Sequence, residues 1–159
     1  MKPRLYIETS VISYYTSRPS RDLVVAGHQQ MTQQWWTGQL SLYQPYISEV
    51  VRDEISRGDP AAVKARLNAV KGLPLLTVTP EVTELARKYY AGLNLADRAR
   101  LDAIHLALAV QHGIDYLVSW NFAHICGARP RRIIRNINDL MQLETPVICT
   151  PEELIDENL

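Results

Sequence analysis

Long apolar runs are missing from this chain of 159 residues. None nears the ~18 residues that a membrane-spanning helix requires, so no membrane segment is expected. The opening Met1-Lys2-Pro3-Arg4-Leu5 lacks the apolar stretch and small-residue cleavage site of a secretory leader, which predicts a cytoplasmic protein. Cysteine is scarce. Cys126 and Cys149 have neither C-x-x-C spacing nor a histidine partner at metal-site spacing, which predicts two free thiols. His28, His112 and His124 share no zinc-type spacing with one another or with the cysteines. Excess charge is also absent: 17 Lys and Arg balance 17 Asp and Glu. That balance argues against a protein that coats nucleic acid by bulk charge. No G-x-x-x-x-G-K-[ST] loop, G-x-G-x-x-G fingerprint or G-x-S-x-G elbow occurs. P-loop, dinucleotide-binding and serine-esterase chemistry therefore have no footing.

What is present is a 47% hydrophobic fraction with regular punctuation. Residues 4–8 read as a short strand and 9–19 as a loop containing Ser, Thr and Pro19. Residues 20–36 carry apolar positions at helical spacing, with Gly38 as the stop. A second strand is expected over 42–47, with Pro45 making it short or an edge. Ser48 caps a helix over 48–57. Asp59-Pro60 opens another, ended near Gly72. A strand over 73–78 precedes a helix over 80–93, and residues 94–99 form a polar link. An apolar helix spans 100–112, a strand 115–119, a loop 120–128 and a helix 130–143. Val147-Ile148 is strand-like, and Thr150-Pro151-Glu152-Glu153 has the form of a capping box. Strands alternating with helices predict one α/β domain over 1–159, with a central parallel sheet flanked by helices.

In such sheets ligands bind beyond the carboxyl ends of the strands, and four polar residues fall there or nearby. Glu8 closes the first strand, followed by the hydroxyls of Thr9 and Ser10. It reads either as a ligand or as a strand-end glutamate facing water. Glu54 sits beside Ile55 on a helix whose apolar side carries Val50 and Val51, so it leans inward. An inward carboxylate needs a cationic partner or a metal. Glu49 and Asp53 lie on the more exposed side. Asp102 occupies the first turn of the apolar helix, where the helix dipole favours its ionised form; it reads as a site carboxylate or as a local charge only. Asn121 follows the strand at 115–119 and serves as a ligand or as a turn residue. His105, one turn beyond Asp102, contacts substrate or is a core residue with its bonds satisfied. Oxygen donors of this kind suit Mg²⁺ or Mn²⁺, which activate water and stabilise charge on phosphate. Arg129, Arg131, Arg132 and Arg135 fall within seven residues. They are candidate phosphate contacts or a solvated helix face.

Four segments together resemble a known family. Tyr6-Ile7-Glu8-Thr9-Ser10-Val11-Ile12 resembles the I-D-T-N-V-L opening of PIN domains. Ser48 to Ile55 followed by Gly58 resembles their second motif, with its ligand Glu before an aliphatic residue. Leu101-Asp102-Ala103-Ile104-His105-Leu106-Ala107 resembles the third, where an Asp opens a buried helix. Leu117-Val118-Ser119-Trp120-Asn121-Phe122 resembles the fourth, L-V-T-x-[ND]. Order and separation match, over nearly the whole chain.

The resemblance implies a Rossmann-like three-layer PIN fold and a metal-dependent ribonuclease. It further implies the VapC-type toxin branch, whose members are restrained by a small antitoxin and are often homodimeric. Carried over, Glu8, Glu54 and Asp102 would be the metal ligands and Asn121 a supporting catalytic residue. Thr9, Ser10, Arg129, Arg131 and Arg132 would contact the RNA substrate. Two positions depart from the family pattern: Glu8 stands where Asp is usual, and Ser10 where Asn is common. Glu8, together with Asn121 in place of the Asp of some branches, favours the rival expectation, a silent PIN-fold module that binds RNA or a protein without cutting. Trp35, Trp36, Tyr89 and Tyr90 are candidates for an interface or for the core.

Overall fold

The computed structural model of the chain describes residues 1–123 and 125–155; His124 lies outside the described residues. Among the described residues, five strands form one parallel sheet in the order β3-β2-β1-β4-β5. They are β1 (Arg4–Ile7), β2 (Gln44–Ser48), β3 (Leu75–Leu76), β4 (Tyr116–Val118) and β5 (Val147–Cys149). Helices connect them, giving the three-layer α/β architecture of a PIN-like fold. The chain steps outward from β1 through β2 to β3. It then returns to the other side of β1 for β4 and β5. The reversal places a topological switch point between β1 and β4, where open α/β sheets form their ligand crevice.

Burial explains the order. Leu5, Tyr6 and Ile7 of β1 are all inaccessible to solvent, as a central strand covered on both faces must be. Helix α6 (Arg100–Gln111) is the most buried helix, with Leu106 to Val110 all in the core. It packs on α5 (Pro80–Gly92), whose buried stripe is Val82, Leu85, Ala86 and Tyr89. On the early part of the chain, α1 (Thr9–Thr16) packs against α2 (Leu23–Gln39), α3 (Glu49–Ile55) and α4 (Pro60–Ala69). Trp35 and Tyr89 belong to the core, while Trp36 and Tyr90 are half-buried.

Caps set most helix starts. Ser48 Oγ accepts from Val51 N, Asp59 from Ala62 N and Thr79 from Val82 N, each the expected N-cap. Thr150 and Glu153 make the reciprocal capping bonds at the last turn, Glu152–Leu154.

Four expectations need correction. Residues 9–16 are helix, not loop, because Glu8 caps them and Val11 and Ile12 reach the core. Helix α2 begins at Leu23 rather than residue 20, since the Asp22 carboxylate accepts from Val24 N and Val25 N. It also runs through Gly38, which here stops nothing. Pro45 lies in an internal strand. The N–H groups of β2 alternate between neighbours: Gln44 N bonds Pro3 O on the β1 side, and Ile47 N bonds Pro74 O on the β3 side. Pro45 shares the Ile47 side, at a level that β3 does not reach, so its missing N–H costs no ladder bond.

The two thiols are free. Burial pushes the Cys149 thiol up to about 12, with Glu153 and Cys126 adding to the effect. The neutral thiol thus stabilises the fold fully below the unfolded pKa of ~8.5, and that contribution is lost as pH rises above it. Urea unfolding at about pH 8 and about pH 10 should show the alkaline loss in wild type, reduced in Cys149→Ala by roughly 1 kcal/mol or more. An identical alkaline loss in both proteins would contradict this origin.

Candidate active site at the sheet switch point

Glu8 and Ser119 follow β1 and β4, the two strands that flank the switch point. Glu8 N donates to Val118 O at 3.0 Å, which closes the crevice floor. The Glu8 side chain is 5% exposed and carries three hydrogen bonds, all on Oε1. Ser10 N donates at 3.0 Å, Ser119 Oγ at 2.7 Å, and Ser10 Oγ also donates. The Ser10 oxygen in turn accepts from Trp120 N at 2.9 Å, and that of Ser119 from Asn121 N at 2.9 Å. Backbone donors thereby orient both serine hydroxyls toward the carboxylate. Among the described residues, Oε2 has no such donor.

Glu54, on α3, is held from two sides. Thr9 Oγ1 donates to its Oε1 at 3.0 Å, and His105 Nε2 lies 2.8 Å from the same oxygen. The second contact is a strong electrostatic approach, too bent for an aligned hydrogen bond. Burial opposes ionisation of Glu54, but His105 and Thr9 more than offset it, and the carboxyl is held below its ordinary value. Its side chain remains 24% exposed, so it reaches solvent as well as the interior.

Behind Glu54 runs a buried chain of polar groups. His105 Nδ1 is 2.6 Å from Tyr6 Oη, and Tyr6 Oη is 2.7 Å from Ser48 Oγ. Ser48 Oγ accepts from Val51 N at 3.0 Å. Ser48 Oγ keeps a second acceptor site, so the directions follow from giving each buried hydroxyl proton an acceptor. Ser48 donates onward to Tyr6, and Tyr6 donates to His105 Nδ1. The imidazole proton then sits on Nε2, facing Glu54. This arrangement leaves no buried hydroxyl proton without an acceptor. Tyr6 stays protonated: burial drives its pKa far up, and the charges of Glu8 and Glu54 add to that.

Asp102 lies in the first turn of α6, half-buried, as the sequence indicates. Asn121 is exposed, and its backbone N–H, at least, is tied to Ser119. Of the nominated residues, Glu8, Thr9, Ser10, Glu54 and Asn121 thus enter connected hydrogen-bond networks, and His105 joins them from the core. Arg131, Arg132 and Arg135 line a separate cavity, and Arg129 sits outside its lining.

The sequence reading missed three contributors: Ser119, Ser48 and Tyr6. Ser119 had a signal, as a hydroxyl ending a buried strand beside the switch point. Tyr6 and Ser48 had none, because their roles depend on contacts 99 and 42 positions away.

The donor set fits a hard divalent cation in kind. Glu8, Glu54 and Asp102 offer carboxylate oxygens, and serine and threonine hydroxyls fix the first two, as outer-shell groups do. Among the described residues, no group of three or more His, Cys, Asp or Glu closes around a common point. A cation that keeps several of its waters, as Mg²⁺ does, asks for no tighter cage. No helix among the described residues is long and apolar enough to cross a membrane.

No curated protein matches the chain. The pattern of the PIN domain matches residues 5–122, well over half of the sequence. That span runs from within β1 into the loop after β4 and takes in Glu8, Glu54, Asp102 and Asn121. The chain therefore belongs to the PIN domain family.

Proposed function

We propose that the protein is a metal-dependent ribonuclease that hydrolyses RNA phosphodiester bonds, with Glu8, Glu54 and Asp102 as its metal-holding carboxylates. The observation that carries this reading is the Glu8 carboxylate at the switch point, with one oxygen fixed by Ser10 and Ser119 and the other open. Membership of a family of nucleases supports the chemistry. When Mg²⁺ or Mn²⁺ is bound, it supplies charge to stabilise the phosphate and a water of lowered pKa. The chain's own residues do the rest. Ser10, Ser119 and Thr9 hold the carboxylates in place before substrate arrives, which avoids reorganisation during the reaction. His105 keeps Glu54 ionised. Asn121, exposed at the end of β4, would orient water or the RNA phosphate.

The VapC-type toxin role, an antitoxin partner, a homodimer and a cytoplasmic location belong to the same proposal and rest on the motif resemblance. A second reading, the silent PIN-fold module, is favoured by one observation: His105 occupies a position beside Glu54 Oε1 that competes with a cation.

Cleavage of a mixed small-RNA pool separates the two. Purified protein should cut with Mg²⁺ or Mn²⁺, fail in EDTA, and lose at least about 100-fold in rate as Asp102→Asn. Full activity in Asp102→Asn would remove that residue from the site. A folded protein that cuts under no condition would establish the binding module.

A further inference from the structure

A cavity of about 490 Å³ lies between helix α7 (Ala128–Leu140) and the edge strand β5. Three arginines are among its lining residues, Arg131, Arg132 and Arg135. Their spacing of three and four puts all three along one side of the helix. The lining contains no acidic side chain. Among the described residues none of the three arginines makes an ion pair. Thr145 adds a donor: its Oγ1 accepts from Asn138 Nδ2 at 2.8 Å, which leaves its own proton for a ligand. In a chain with no net charge, this concentration of uncompensated cations is local. The three arginines are exposed; like charges along one helix face repel, and an anion there relieves the repulsion.

Glu8, Glu54 and Asp102 do not line this cavity. Strand β5 is two strand positions from β1, or about 10 Å sideways from that strand. Cys126, in the loop between β4 and α7, lies within electrostatic reach of Arg131, Glu153 and Asp102.

We infer that the Arg131–Arg132–Arg135 cavity is a phosphate-backbone subsite that grips single-stranded RNA away from the bond being cut. The inference rests on the ribonuclease reading for the identity of the polyanion. Row-like cations with a hydroxyl match successive phosphates along a strand, whereas a single inorganic phosphate would leave most of the cavity unused. The subsite makes binding depend on RNA length and leaves base identity unread.

The test is fluorescence anisotropy with end-labelled single-stranded RNA and the full chain in EDTA, so binding is read without cleavage. Arg131→Ala/Arg132→Ala/Arg135→Ala should weaken binding of a longer strand by roughly 10- to 100-fold and flatten the log–log salt slope by about 2. A tetranucleotide should show much less change. The charge-matched control Lys64→Ala/Lys71→Ala/Lys88→Ala, on α4, just beyond it and on α5, should keep the wild-type slope. Equal losses in both triple variants would overturn the subsite, because net charge alone would then explain them. So would competition by inorganic phosphate or labelled polyglutamate at concentrations comparable to RNA. Unchanged affinity and slope in the arginine variant, with a wild-type circular dichroism melt, would overturn it as well. Failure of the nuclease reading appears elsewhere, as absence of metal-dependent cutting, and leaves this binding result interpretable.

Discussion

Glu8→Gln should abolish RNA cleavage while leaving the fold nearly as stable as before. The geometry makes this substitution unusually clean. All three hydrogen bonds to the Glu8 side chain end on Oε1. A glutamine can keep its amide oxygen in that position and accept the same three donors. Its NH₂ then occupies the place of Oε2, the side left for a cation. A donor there repels a metal instead of binding it. Charge-assisted hydrogen bonds become neutral ones, at a cost of about 1–2 kcal/mol. Loss of the burial penalty on the charge works in the other direction. The rate should fall by at least about 100-fold, the scale for removing a preorganised electrostatic contact. Single-turnover cleavage with Mn²⁺ and a urea melt on the same preparation read both quantities. Retained activity would show that Glu8 serves only as the N-cap of α1. A large loss of stability would show that its negative charge holds the loop together.

Glu8→Asp is the informative companion. The Ser10 and Ser119 hydroxyls are placed for the longer side chain, so aspartate would retreat from them. The variant should therefore lose stability and part of its activity, although aspartate is the usual residue at this motif position. Recovery of full activity would indicate that the two serines are dispensable.

Most of the architecture is legible in the sequence, for identifiable reasons. Capping residues and proline at first helical turns placed α3, α4 and α5 closely, because a cap acts through bonds two or three residues away. The apolar α6 and the alternation of strands with helices led to the parallel sheet. The segment after β1 was misread because α1 is only eight residues long, and its Thr, Ser and Tyr residues show no apolar stripe. Its stability comes from Glu8 and from packing against three other helices, neither of which has a local signature. The same division runs through the site. Glu8, Glu54 and Asp102 were visible as carboxylates in suggestive places. What fixes them was not visible: Ser119 is 111 positions from Glu8, and His105 is 51 positions from Glu54. His105 looked like a core residue, and at 1% exposure it is one. Its contact with Glu54 also gives it a role at the site, which an apolar helix pattern could not convey.

Tyr6→Phe should be among the most damaging conservative substitutions in the chain, and its effect should depend on His105. The ring is fully buried and phenylalanine preserves its shape, so packing changes little. Two buried partners lose their bonds: the Ser48 hydroxyl proton and His105 Nδ1. An unsatisfied buried polar group costs about 1–3 kcal/mol, which puts the total near 2–4 kcal/mol. For a chain of this size that corresponds to a fall in Tm of roughly 5–15 °C. The imidazole also loses the bond that fixes its tautomer, and with it the orientation of the proton facing Glu54. Cleavage should weaken further than the stability loss explains at a temperature where the variant is fully folded. The double-mutant cycle with His105→Ala isolates the cause. Once the imidazole is gone, Tyr6→Phe strands only Ser48, so its cost should drop by at least about 1 kcal/mol. Strictly additive effects would show that Tyr6 acts through Ser48 and the β2–α3 junction alone. Strong coupling, together with a shift in the imidazole ¹⁵N resonances of the single variant, would establish that the line from Val51 N–H to Glu54 works as one unit.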